Sequence, residues 1–202
     1  RLYKLANLYN EKTIAKNFIN IDKIFSNTSN PISASNQPHI FEKQQFDLPD
    51  TYIFEDEELS FQEGLAHFHT DGLIILHEGK MLHEEYWNGN TKDSKHISFS
   101  VAKSYLSALF GIAVNEGLID SIEDKVSKYL EDFVGTGYED VKIKNLLQMS
   151  SGIEFNEDYA DPNSDINKFS RATARDVPFR DFAKTLKNGR PQGTYNHYVS
   201  LD

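Results

Sequence analysis

The clearest hydrophobic pattern in the chain predicts a β-hairpin over residues 72–87. The apolar run Gly72–His77 predicts a buried strand, Glu78-Gly79-Lys80 a turn, and Met81–Trp87 a returning strand. The sequence Asn88-Gly89-Asn90, rich in turn formers, then ends the pattern. Predicted helices lie mostly after this hairpin, and strands followed by helices indicate an α+β fold instead of alternating βαβ units.

A long central helix is predicted from Ser100 to about Glu116. It is apolar on almost every side, which predicts that it is buried, and Gly117 suits the position directly after a helix end. The remaining predictions in this half are a short helix within 118–130, helices over 141–149 and 175–187, and a loop over the acidic residues 157–170.

These patterns predict three parts of the chain. Residues 1–50 are polar, with only weak helical spacing up to Phe18 and no clean period around Pro31 and Pro38, so they predict an irregular arm. Residues 51–99 are predicted to form the N-terminal part of a sheet domain. Residues 100–202 are predicted to form the central helix and a helical subdomain.

Composition excludes several kinds of function. The chain has 202 residues and a formal net charge of −10, which argues against nucleic acid or an anionic membrane as a partner. It has no cysteine, so disulfides and thiolate metal sites are excluded, and no apolar run of membrane-spanning length. His67 and His69 are a bare pair, for which a structural role outweighs a metal site, so neither metal nor cofactor is predicted. Because the chain begins at Arg1, a leader is conceivable, and a periplasmic or secreted location is favoured over the cytoplasm.

The segment Ser100-Val101-Ala102-Lys103 carries the candidate chemistry. Residues three apart share a helix face, so the Ser100 hydroxyl and the Lys103 amine are expected to lie close together. A serine hydroxyl becomes a good nucleophile only when a base takes its proton, and a lysine can act as that base in apolar surroundings. The neighbouring apolar side chains predict such surroundings. Taken alone, the spacing is better explained by a serine at a helix start followed by a surface lysine.

Four segments together resemble the serine β-lactamase-like and penicillin-recognising hydrolases, in the order and roughly the spacing of that family. They are His96–Ser104 for the nucleophile, Val114–Val126 for the following turn and short helix, Ile143–Gly152 for the "LLxMTSG" stretch, and Gly193–Ser200 for the second catalytic motif. The resemblance covers about residues 70–202. It implies a β-lactamase/transpeptidase-like α+β fold, in which an antiparallel sheet is flanked by helices and joined by a helical subdomain.

The resemblance also implies roles for individual residues. Ser100 would form an acyl-enzyme, while Lys103 and Tyr198 would move the protons, and which of the two takes the first proton stays open. The family's third motif supplies the second oxyanion donor from a later strand. That strand, its neighbours and a C-terminal helix are not found in this chain, so a C-terminal segment or a second chain is expected to complete the fold. Without them the chain is expected to be inactive and poorly folded.

The second motif narrows the branch of the family. Tyr-x-Asn is common among class C β-lactamases, whereas this chain has Tyr198-Val199-Ser200 after a Pro-x-Gly turn. This is similar to 6-aminohexanoate-dimer hydrolases, the nylon-oligomer amidases, and related carboxylesterases, in which Ser200 would support or bind the substrate. The resemblance therefore implies a bacterial serine hydrolase that cleaves a small-molecule amide or ester.

Two other functions stay open at this point. A β-lactamase or D-alanyl carboxypeptidase is disfavoured by Ser200, which has a shorter reach than asparagine. A non-catalytic penicillin-recognition-like binding module is disfavoured because Ser100, Lys103 and Tyr198 are all present. The acidic stretch 154–165 could attract a cationic amine, or could simply be a solvated loop. His197 could tune Tyr198 or lie at the surface, and Tyr195 is expected to lie in the core.

Overall fold

The chain divides into two units, Arg1–Ile97 and Ser98–Asp202. The computed structural model describes residues 7–24 and 32–202. The first unit contains all the strands, and the second contains the long helix and the short helices that follow it. The finer division into an arm, a sheet portion and a helical portion at residues 50 and 99 stays a prediction.

The first unit is built around the hairpin that the hydrophobic pattern predicts. Strands β4 (Gly72–His77) and β5 (Lys80–Tyr86) pair antiparallel, with a register shift between Ile75 and Leu76. The turn residues Glu78 and Gly79 have φ angles of 48° and 76°. Two positive φ values are the signature of a type I′ turn, whose twist matches that of the flanking strands. The prediction of this hairpin is confirmed.

Strand β4 is less buried than its composition predicts. A short strand β1 (Glu42–Lys43) pairs parallel with β5, giving a mixed sheet in the order β1-β5-β4. Strand β4 is therefore an edge strand in the described part of the chain. Ile74 and Leu76 remain 49% and 48% exposed. An apolar run shows that a strand is suited to burial, but its actual burial depends on which elements pack against it.

Two further elements of this unit were not predicted. Strands β2 (Thr51–Phe54) and β3 (Glu57–Ser60) form a second antiparallel hairpin. Helix α3 (Phe61–His67) follows directly, and the Ser60 hydroxyl accepts a hydrogen bond from the Glu63 amide at 3.3 Å. Before them, helices α1 (Ile14–Phe18) and α2 (Ile21–Ile24) replace the weakly helical region of the predicted arm. Pro31 lies outside the described residues, and the segment around Pro38 is irregular.

The second unit begins with a 3₁₀ turn, Phe99–Val101, that leads into the 14-residue helix α4 (Ala102–Asn115). Gly117 ends this helix with φ of 73°. Its amide donates to the Val114 carbonyl, and the Leu118 amide donates to the Ala113 carbonyl. These two bonds form a Schellman motif, in which glycine adopts the left-handed conformation at little cost. The predicted helix and its glycine end are confirmed.

The predicted burial of α4 is wrong for the described chain, because none of its residues is fully buried. Short helices follow it, and the loop prediction over 157–170 is also wrong in its second half. There the Ser164 hydroxyl accepts a hydrogen bond from the Asn167 amide, at the start of a ten-residue helix. The helices are α5 (Val126–Tyr129), a 3₁₀ turn (Glu131–Phe133), α6 (Ile143–Leu147), α7 (Asp165–Ala174) and α8 (Phe179–Ala183).

The core of the second unit lies among these short helices and the loops between them. It contains ten buried residues, Val126, Phe133, Tyr138, Val141, Ile153, Phe155, Ile166, Ala183, Leu186 and Val199. Val199 is only 1% exposed. The loop that carries the second candidate motif is therefore anchored directly in the core. Among the described residues, no helix has both the length and the apolar character needed to cross a bilayer.

Candidate active site

Ser100 lies at the entrance to the long helix. It occupies the middle of the 3₁₀ turn Phe99–Val101, two residues before α4 begins, and its side chain is exposed. The preceding residue, Phe99, has φ of 44°, a left-handed conformation that costs energy in a bulky residue. The backbone amides at the start of α4 carry the positive end of the helix dipole, which favours negative charge developing near Ser100.

Tyr198 reaches Ser100 from the far end of the unit. Its phenolic hydroxyl donates a hydrogen bond of 2.5 Å to Ser100 Oγ across 98 residues of sequence. Both groups are hydroxyls, so the same contact can work in reverse, with Ser100 donating when the phenol is ionised. Tyr198 is 39% exposed.

Lys103 is joined to the same segment by its amine. Lys103 Nζ donates to the backbone carbonyl of Ser200 at 2.8 Å. Ser200 is two residues after Tyr198, so Ser100 and Lys103, one helical turn apart, both contact the segment Tyr198–Ser200. The structure therefore brings Ser100, Lys103 and the segment Tyr198–Ser200 together, but the lysine contact is to a backbone oxygen and not to the Ser100 hydroxyl.

The segment Tyr198–Ser200 is held in place by the stretch that resembles "LLxMTSG". The amide of His197 donates to the Met149 carbonyl at 2.7 Å, and that of Gly193 donates to the Ser150 carbonyl at 2.8 Å. The side-chain amide of Asn196 donates to the Gln148 carbonyl. Together with buried Val199, these bonds fix the loop on which Tyr198 stands.

An acidic side chain lies against Ser200. The Ser200 hydroxyl donates to Glu157 Oε1, and the Ser200 amide donates to Glu157 Oε2 at 3.3 Å. The Tyr159 hydroxyl donates to the same carboxylate at 3.2 Å. Burial, followed by the charge of Glu157, raises the pKa of Tyr159. Part of the acidic stretch 154–165 is thus in direct contact with a residue of the second motif.

A partly buried carboxylate lies behind the site and was not predicted. Asp202 accepts hydrogen bonds from Ser151 Oγ at 2.6 Å and from Tyr138 Oη at 3.1 Å. Burial raises the pKa of Asp202 to about 6, while these two hydrogen bonds and the charges of Lys103 and His197 act in the opposite direction. No local motif marks this residue, because its partners are 51 and 64 positions away.

Two expectations about the surroundings are wrong. Lys103 is only partly buried, and its apolar neighbours Phe99, Val101 and Tyr105 are 47%, 61% and 72% exposed, because no described element covers that side of α4. Tyr195 is 58% exposed and stacks with the Arg190 guanidinium 5.0 Å from its ring centre, instead of lying in the core. A cationic partner keeps this aromatic ring at the surface.

His197 has a structural contact, since its Nε2 lies 3.0 Å from the Phe155 carbonyl. A carbonyl only accepts, so Nε2 carries the proton in this bond. Within residues 7–24 and 32–202, no group of three or more histidine or carboxylate side chains is arranged to hold a metal ion. The described site consists of hydroxyls, an amine and carboxylates.

Comparison with known proteins supports the sequence resemblance. The Beta-lactamase family model matches residues 60–201. The chain is 30% identical over 132 residues to 6-aminohexanoate-dimer hydrolase of Paenarthrobacter ureafaciens. That match covers 65% of this chain but only 31% of the relative, so the chain spans about a third of the relative's length.

The fold is also similar to a solved one. A Bacillus anthracis protein, provisionally identified as a 6-aminohexanoate-dimer hydrolase, superposes with a TM-score of 0.69 over 82% of this chain and 47% of that protein. Identity in this comparison is 21%, so the likeness concerns the fold. The predicted α+β, β-lactamase-like fold and the predicted resemblance are confirmed, and this chain belongs to the beta-lactamase family.

Proposed function

We propose that this chain carries the nucleophile and proton-transfer residues of a serine hydrolase that cleaves an amide or ester bond through an acyl-enzyme on Ser100. The observation that carries the proposal is the 2.5 Å hydrogen bond between the Tyr198 hydroxyl and Ser100 Oγ. Direct proton transfer requires a group within hydrogen-bond reach, and the phenol of Tyr198 is in hydrogen-bond contact with Ser100 Oγ. Membership of the beta-lactamase family and the hydrolase name of the Paenarthrobacter relative support the same activity.

In the acylation step, Ser100 Oγ attacks the carbonyl carbon and forms a new C–O bond. Its proton passes to the basic pair of Tyr198 and Lys103, and the oxyanion collapses to expel the amine or alcohol. The leaving group takes that proton as its bond to the carbonyl carbon breaks. Water then attacks the acyl-enzyme, gives a proton to the same pair and releases the carboxylic acid, while Ser100 regains its proton.

The lysine is suited to support Tyr198. A cation near a proton-transfer group stabilises the negative charge that develops there during the reaction. Lys103 donates to the Ser200 carbonyl, two residues from Tyr198, so its charge lies against the segment that carries the phenol. The Ser100 amide, at the helix start, would supply one oxyanion donor. The family resemblance implies that the second donor comes from a strand bearing the third motif.

The acidic loop suggests a substrate with a positive end. The stretch 154–165 contains five carboxylates, Glu154, Glu157, Asp158, Asp161 and Asp165, and no lysine or arginine. Glu157 contacts Ser200 directly. We infer that this loop favours a substrate whose free amine lies near Ser200, such as a linear oligomer of amino acids, over a neutral or anionic β-lactam.

Hydrolysis of a substrate panel by the full-length protein tests the proposal. The panel contains p-nitrophenyl esters, linear amides with a free or acetylated amine, and a chromogenic β-lactam. Ser100→Ala should abolish turnover of all of them, while Ser104→Ala, one helical turn along and exposed, should leave it unchanged. Turnover by Ser100→Ala, or no turnover and no labelling by a fluorophosphonate, would favour a binding module. Efficient β-lactam turnover alone would favour a β-lactamase.

A further inference from the structure

A small polar cluster lies beneath the Tyr198–Ser200 segment and has no part in the steps proposed above. It consists of Asp202, Tyr138 and Ser151, joined by hydrogen bonds of 3.1 Å and 2.6 Å to the two carboxylate oxygens of Asp202. Tyr138 is 3% exposed and Ser151 is 1% exposed. Burying polar groups is costly unless they are paired, so this cluster is a maintained feature of the core.

The cluster connects the candidate site to the core of the unit. Asp202 is two residues after Ser200, whose carbonyl accepts the hydrogen bond from Lys103. Its two partners belong to different parts of the core, the loop before Val141 and the buried turn after α6. Ser151 Oγ also accepts from the Ile153 amide at 3.3 Å, which fixes that hydroxyl in turn. Asp202 therefore ties the end of the Tyr198–Ser200 segment to two separate anchors.

The same carboxylate faces the charged groups of the site. Lys103 from helix α4 and His197 from the preceding loop both favour its ionised form through their charges. Tyr138 and Ser151 favour the ionised form by hydrogen bonding, whereas burial opposes it more strongly. These four residues therefore enter the electrostatic balance of Asp202.

We propose that Asp202 is a positioning residue of this site: its carboxylate holds the Tyr198–Ser200 segment against Tyr138 and Ser151, and its negative charge keeps the Lys103 ammonium directed at that segment. This inference rests on the proposed function. Asp202 touches none of the reacting atoms, so it acts only through Tyr198 and Lys103. Protonation of Asp202 removes the charge without removing the side chain, so activity should fall as the pH drops through its pKa of about 6.

The pH dependence of ester hydrolysis by the full-length protein tests this inference with four proteins. In the parent, kcat/KM should decrease below about pH 6, and this decrease is the acid limb of the pH profile. Asp202→Asn keeps the shape of the side chain but not its charge, so the acid limb should be absent from its profile. Its kcat at neutral pH should fall by about 10- to 100-fold, the cost of a small misplacement of reacting groups, while KM changes little. Tyr138→Phe removes a hydrogen bond that lowers the pKa of Asp202, so the limb should move to higher pH. His197→Gln should retain it.

Three outcomes would overturn the inference: a parent profile without a limb near pH 6, an unchanged limb in Asp202→Asn, or loss of the limb in His197→Gln. If Asp202→Asn does not fold, the limb of Tyr138→Phe decides: a shift to higher pH supports the inference, and no shift or a shift to lower pH overturns it. If Asp202 has only a structural role, Asp202→Asn should change stability but leave the position of the limb unchanged. Ser100→Ala separates this inference from the proposed function, because activity in that variant would refute the hydrolase mechanism, whereas failures confined to Asp202 would not.

Discussion

The Tyr198 hydroxyl donates a 2.5 Å hydrogen bond to Ser100 Oγ, although 98 positions separate the two residues in the chain. Two features make this contact: the turn at the start of α4 presents Ser100, and the loop anchored by buried Val199 presents Tyr198. The predictions that follow separate the chemistry of this pair from the packing that supports it.

Replacing Tyr198 with phenylalanine should remove the proton carrier and preserve the fold. The ring stays, and the lost hydroxyl is on a side chain that is 39% exposed. We expect kcat/KM for an ester to fall by about 10²- to 10⁴-fold, the usual contribution of a general acid–base group. The melting temperature should change little. A control at Tyr195, which is exposed and stacks on Arg190, should keep nearly full activity as Tyr195→Phe. Equal losses in the two variants would argue against a special role for Tyr198.

The variant Lys103→Arg tests whether Lys103 acts only through its positive charge or also takes part in proton transfer. Arginine keeps a positive charge and can donate to the Ser200 carbonyl, but it does not release a proton in proteins. If Lys103 takes part in proton transfer, the variant should lose about 100-fold or more in kcat/KM while keeping its stability. Activity close to that of the parent would show that Lys103 supplies charge only, leaving Tyr198 as the sole base. Steady-state kinetics with a p-nitrophenyl ester, together with a thermal melt, makes this distinction.

Val199→Ala tests how the core supports the site. Val199 is 1% exposed and belongs to the core cluster, so losing two of its carbon atoms should lower the free energy of unfolding by about 1–3 kcal/mol. Val134→Ala, at a position 60% exposed, is the matched control and should cost far less. Urea unfolding of both variants measures the difference. Similar costs at the two positions would contradict the anchoring role of Val199.

The sequence succeeds where the determining interactions are local or the motif is long. The hairpin β4–β5 follows from an apolar run and the turn Glu78-Gly79, and the end of α4 follows from Gly117. The family resemblance rests on four separate segments in order, so it also identifies the Tyr198–Ser100 pair. The pair Ser60 and Glu63 has the spacing of a capping box and could have predicted the start of helix α3, where the Ser60 hydroxyl accepts from the Glu63 amide.

The sequence fails where distant neighbours decide the outcome. Helix α4 and strand β4 have apolar compositions that predict burial, yet exposure depends on which elements cover them. Tyr195 has a core-like side chain, but Arg190 holds it at the surface. Asp202 looks like any other aspartate in the sequence. Its raised pKa results from burial, and its hydrogen bonds from Tyr138 and Ser151, which oppose that rise, exist only because the folded chain brings these residues near it.

The pH dependence of the free energy of unfolding tests the raised pKa of Asp202 without any measurement of activity. Its pKa is raised from 3.8 to about 6, so the native state retains a proton that the unfolded state has already lost. The stability due to this proton is present below about pH 4 and is lost as the pH rises to about 6. Asp202→Asn removes this titration. As the pH rises from about 4 to about 6, the free energy of unfolding of Asp202→Asn should therefore increase relative to that of the parent, by up to about 3 kcal/mol.

Urea unfolding at several pH values measures this difference. Asp140→Asn is the matched control, because Asp140 is an exposed aspartate paired with Lys125, and surface pairs contribute little. A difference between Asp202→Asn and the parent that stays constant from pH 4 to 6, or that moves in the parent's favour, would contradict the buried, proton-retaining carboxylate.

The most direct measurement is the site at which a covalent serine-hydrolase probe attaches. After the full-length protein reacts with a fluorophosphonate, trypsin cleavage after Lys95 and Lys103 releases the peptide His96–Lys103, which contains both Ser98 and Ser100. Fragment-ion masses should place the adduct on Ser100 alone, and Tyr198→Phe should slow its formation. An adduct on Ser98, or the absence of any adduct under conditions that label a known serine hydrolase, would contradict Ser100 as the nucleophile.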